Sequence, residues 1–65
     1  MRSYVTVENH GSLVLLRPST QVMERWLRAN VQDDAQWFGS ALVVEPRYVA
    51  ELLQGIRDAG YGVRP

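Results

Sequence analysis

The chain contains no cysteine and a single histidine, and its seven basic and seven acidic residues leave no net charge. Lysine is also missing: every basic residue is an arginine, at positions 2, 17, 25, 28, 47, 57 and 64. Without cysteine there is neither a disulfide nor a thiolate zinc site, and His10 alone does not make the imidazole clusters of other metal centres. Balanced charge argues against a nucleic-acid binder that works by phosphate neutralisation, and equally against an acidic mimic of DNA. Long apolar runs are missing as well. The longest, Leu13 to Leu16 and Ala41 to Val44, have four residues, far short of the ~20 that a membrane helix needs. The start, MRSYVTVEN, has one arginine but no apolar segment and no cleavage pattern, so a cytoplasmic location is the expectation.

What is present suffices for one folded unit. An apolar fraction of 46% with 22% charged residues is that of a globular chain, not a disordered one. Residues 1–65 make a single small domain, near the lower size limit for a core without covalent or metal staples.

Ser3 to Glu8 alternates with period two and is rich in β-branched residues, which predicts a half-buried strand. Val5 and Val7 share one face, and Tyr4, Thr6 and Glu8 the other. Asn9-His10-Gly11-Ser12 is a turn cluster, and Leu13 to Leu16 completes a hairpin. Pro18 ends that strand, and Ser19 or Thr20 is placed to cap a helix with an apolar stripe of Val22, Met23, Trp26 and Leu27 and a stop near Asn30. After the loop 31–36, Trp37 to Val44 reads as one strand bent at Gly39, central where Ala41-Leu42-Val43-Val44 lacks polar alternation. Glu45-Pro46 opens a second helix, Val49, Leu52, Leu53 and Ile56 form its stripe, and Gly60 is its C-terminal cap. Tyr61-Gly62-Val63 can add a last short strand.

The order is β-β-α-β-α-β. Right-handed crossovers put both helices on one side of the sheet, which predicts an α+β two-layer sandwich with a small, mostly antiparallel or mixed sheet. Two helices cover only one face. The other should carry Tyr4 and Thr6 together with one of the two apolar sets of the second and third strands, and a patch of that kind marks an interaction or self-association surface.

No constellation in the chain assembles chemistry. Gly55 to Gly60 has the G-x4-G spacing of a phosphate loop, but Tyr61-Gly62 stands where Lys-Ser/Thr is needed, and the segment ends a helix instead of starting one. Glu8, His10 and Ser12 are hydrolase residue types crowded into one turn without an oxyanion-hole motif. Asp33 and Asp34 lack the further ligands of a calcium loop. No catalytic, cofactor-binding or metal-ligating residue is assigned, and no enzyme is expected. An open sheet with aromatic residues is shared with RNA-recognition domains, but their order is β-α-β-β-α-β and their signature motif is absent here.

The short chain beginning at Met1, arginine without lysine and the stretch WFGSALVVEPRYVAELL resemble the small proteins of phages and mobile elements in GC-rich bacteria. More narrowly, the whole chain resembles the type I-C anti-CRISPR inhibitors of pseudomonads. The exclusive use of arginine fits a GC-rich genome, and it also suits bidentate pairing at protein interfaces. The resemblance implies a non-enzymatic inhibitor that binds a CRISPR effector complex and blocks target-DNA binding or nuclease recruitment. The alternative is a nucleic-acid-binding or homodimeric regulatory protein of a mobile element. Candidate partner contacts are Tyr4 and Thr6 on the sheet, Trp37 and Phe38 at the bend, Asp33 and Asp34 in the loop, and Arg25 and Arg28 on the first helix. They belong to more than one surface, because helices and open sheet lie on opposite sides.

Overall fold

The computed structural model describes residues 2–65. Strand β1 (Tyr4–Asn9) and β2 (Val14–Pro18) form an antiparallel hairpin. Its turn is held by the Asn9 carboxamide oxygen, which accepts from the Gly11 N–H at 2.9 Å, and by the His10 N–H, which donates to the Leu13 carbonyl at 2.8 Å. β2 continues past Leu16 as far as Pro18, which pairs with Val5, so the missing proline donor falls at the strand's last position.

Helix α1 (Gln21–Asn30) starts where the Thr20 hydroxyl accepts the Met23 N–H at 3.1 Å. Ser19 does a different job: its hydroxyl accepts the Tyr4 N–H at 2.9 Å, while its own N–H donates to the Tyr4 carbonyl at 2.8 Å. The start of the helix is thereby tied to the start of β1. Met23 and Leu27 of the expected stripe are fully buried, whereas Val22 is 59% exposed because it lies on the flank of the helix.

The segment expected to be one bent strand is two. β3 (Gln36–Phe38) and β4 (Ala41–Val44) pair antiparallel across a turn at Gly39 and Ser40. Gly39 has φ +62°, a left-handed conformation that reverses the chain where a bulge would only deflect it. β4 is interior, as its unalternating apolar run requires, and β3 becomes an edge. Helix α2 (Pro46–Asp58) begins with proline at its first position, without a side-chain cap from Glu45. It ends in a Schellman motif: Gly60 adopts φ +93°, its N–H donates to the Arg57 carbonyl at 2.9 Å, and the Tyr61 N–H reaches the Ile56 carbonyl at 3.1 Å. Strand β5 (Gly62–Arg64) then pairs parallel with β1.

The five strands lie in the order β3-β4-β2-β1-β5, a mixed open sheet with two helices packed on one face. The expectation of a small α+β two-layer fold holds, with one strand more than the sequence suggested. Met23, Leu27 and Ile56 from the helices meet Val5, Val14, Leu16, Leu42 and Val44 from the sheet in one buried cluster. Tyr61 meets Trp26 edge-on, with ring centroids 5.4 Å apart, and so joins the end of α2 to α1.

Candidate functional site

Strand register decides which side chains the helices leave uncovered. Val7 pairs with Leu16, Leu16 with Leu42, and Leu42 with Trp37, so all four share the helix-covered face. The opposite face carries Tyr4, Thr6 and Glu8 of β1, Leu15 and Arg17 of β2, Ala41 and Val43 of β4, and Phe38 of β3. One row across it runs Glu8, Leu15, Val43, Gln36, and beside it Thr6 stands between Arg17 and Arg64. Leu15 and Val43 are half-buried by their neighbours, and Phe38 at the sheet edge is 64% exposed. Ala41 is completely buried yet lies outside the main core cluster, shielded on this second face.

Charged groups on this face are largely engaged with their neighbours. The Arg17 Nε donates to one carboxylate oxygen of Glu8, and His10 Nε2 lies 3.3 Å from the other. The Arg17 hydrogen bond, with His10 contributing less, holds the Glu8 carboxyl below its ordinary pKa. A carboxylate stabilised as the anion is a poor general base, and Ser12 makes no hydrogen bond to His10 among the described residues. At the other edge the Arg64 guanidinium covers the Tyr4 ring, 4.0 Å from its centroid. The result is an apolar strip of Leu15, Val43 and Phe38 that runs to the β3 edge and is bounded on the β1 side by the Glu8–Arg17 pair, with the capped tyrosine beyond it.

The eight residues singled out from the sequence fall into separate places. Tyr4, Thr6 and Phe38 share the open face, the first two on β1 and Phe38 on the β3 edge with β2 and β4 between them. Trp37 does not join them: neighbouring strand residues point to opposite sides, and its ring packs against the core under the Arg28 guanidinium, 4.0 Å from the centroid. Arg28 is occupied by that contact and by Glu24, to which its Nε donates at 3.1 Å. Arg25 is exposed on the outer side of α1, and Asp33 and Asp34 are exposed in the loop before β3. Leu15 and Val43 were not singled out. The signal for them was the hairpin: a turn that pairs Asn9 with Val14 fixes Leu15 opposite Glu8 and therefore on the Tyr4 side.

No group of three or more histidine, cysteine or carboxylate side chains with metal-site geometry occurs among the described residues. Fold and surface together define a small two-layer α+β domain whose sheet is covered on one face and partly apolar on the other. Comparison with protein-family models, curated proteins and solved structures yields no match for this chain.

Proposed function

We propose that the protein is a non-enzymatic binding module that inhibits a larger protein assembly by docking through the open face of its sheet. The observation that carries this reading is the second apolar set: Leu15, Val43 and the 64%-exposed Phe38 form one strip on the face away from the helices. An aromatic anchor beside half-buried aliphatic side chains, flanked by a charged rim, is the anatomy of a protein-binding patch. The resemblance of the chain to type I-C anti-CRISPR inhibitors makes a type I CRISPR effector complex the partner to test. Binding would then block recruitment of target DNA or of the nuclease. The test is titration of a purified type I-C effector with the protein. Loss of target-DNA binding or of cleavage near equimolar addition is expected, whereas full DNA binding and cleavage in excess protein would overturn the reading.

The rival is direct nucleic-acid binding, because Tyr4 and Phe38 share their face with Arg17 and Arg64. Arg17 is committed to Glu8 and Arg64 lies on the Tyr4 ring, which leaves neither free cations nor an open tyrosine for stacking. A salt-dependent gel shift by the protein alone would favour this rival. Self-association through the same strip gives a homodimer, and light scattering over a range of concentrations would reveal it.

A further inference from the structure

A second surface lies on the helix side and carries carboxylates that no arginine pairs with among the described residues. The end of α1, the loop 31–36, the end of β4 and the first half of α2 surround an open groove of about 1260 Å³. The groove is larger than the ~300–1,000 Å³ clefts that enclose small ligands, and it is open along its length. Trp26, Leu42 and Leu52 contribute its apolar lining, and Leu13 and Tyr48, 42% and 49% exposed, stand at its lip. Among the described residues, two of the four exposed large hydrophobic side chains therefore belong to this one feature.

Its charged lining residues are Asp34, Glu45 and Glu51, and no arginine lines it. Glu45 has a neighbour in Arg47 at 3.2 Å, but neither Asp34 nor Glu51 pairs with an arginine among the described residues. Arg17 and Arg64 lie on the sheet face and Arg28 over Trp37, while Arg47 at the lip serves Glu45 and lies over the Tyr48 ring, 4.9 Å from its centroid, so the groove's carboxylates left without an arginine are Asp34 and Glu51.

We propose that this groove docks a basic amphipathic segment of a partner protein. The apolar side chains of the segment enter against Trp26 and Leu52, while its arginines or lysines meet Asp34 and Glu51. Helix-in-groove recognition works in this way, with apolar anchors at i, i+3, i+4 and i+7 for affinity and rim charges for orientation. The inference goes beyond the open-face reading: Gln36 and Val43 border both features, but Trp26, Leu52, Asp34 and Glu51 belong to the groove alone, so a domain with both surfaces can bridge two elements of one target.

The probe is an amidated helical peptide with leucines at i, i+3, i+4 and i+7 and arginines on its flanks, titrated into isotopically labelled protein. The two tryptophans report separately, since Trp26 lines the groove and Trp37 lies under Arg28 outside it. The expected result is a shift of the Trp26 indole N–H and of backbone signals around residues 30–36 and 48–55, with the Trp37 indole unmoved. Combining Asp34→Arg with Glu51→Arg, both exposed positions, should weaken the peptide about tenfold or more, and added salt should also weaken it. Phe38→Asp should leave the peptide affinity unchanged, which separates failure here from failure of open-face docking. Shifts centred on the open sheet face, equal affinity for the charge-reversed protein, or groove signals that move with protein concentration alone would overturn the proposal, the last by placing a second copy in the groove.

Discussion

Leu15 and Leu16 are neighbours of identical chemistry with opposite fates, and so, nearly, are Trp37 and Phe38. Leu16 is fully buried beneath the helices, whereas Leu15 is half-buried on the far side of the sheet. Trp37 packs against the core under an arginine, whereas Phe38 is 64% exposed. A two-layer sandwich needs one apolar set per strand. The second set adds little to the core, and its retention on a domain this small is what makes the open face a candidate for recognition.

Substitution series can break or sharpen that contrast. Leu16→Ala empties a fully buried position and should cost about 2–5 kcal/mol, a large share of the stability of so small a domain, whereas Leu15→Ala should cost about 1 kcal/mol or less. Equal shifts in urea unfolding curves followed by circular dichroism would mean that the two faces are not distinct. At the edge strand, Trp37→Ala should destabilise by about 1 kcal/mol or more beyond Phe38→Ala, since only Trp37 packs against the core.

Smaller effects probe the connections that set the faces. Gly39→Ala places a side chain in free space but at φ +62°, so about 1 kcal/mol of backbone cost should appear with no steric contribution. Thr20→Ala removes the α1 cap and should also cost about 1 kcal/mol, measured by thermal unfolding. The least effect belongs to the Glu8–Arg17 pair. Because the folded-state pKa of Glu8 is lowered, its contribution is present above the ordinary carboxylate pKa and is lost as pH falls through the folded value. Arg17→Ala should therefore raise the Glu8 pKa in an NMR titration and flatten the acid limb of the stability profile.

Much of this architecture was legible in the chain because local signals agreed with each other. Period-two alternation in Tyr4 to Glu8, proline at the start of α2 and glycine after its end each specify an element with little help from tertiary contacts. The hairpin within Trp37 to Val44 was not legible in the same way. Gly39-Ser40 fits a two-residue type II′ turn, with glycine at its first central position, but only Gln36-Trp37-Phe38 precedes it, and a strand that short is easily read as the bent start of the apolar run Ala41 to Val44. The open-face strip was half legible: apolar surplus on both sides of the second and third strands could be counted, but only register says that Leu15 and Val43 join Phe38. The acidic groove was not legible at all, since its lining comes from the hairpin, the end of α1, the loop 31–36, β4 and α2, which only the tertiary fold brings together.

The central claim is that the open face binds while the covered face folds, and one variant separates the two. Phe38→Asp puts a charge on the exposed anchor of the open face without entering the core. Its unfolding curve should overlay that of the parent while its inhibition of a type I-C effector's target-DNA binding is lost. An equally stable variant that inhibits as well as the parent would contradict the claim.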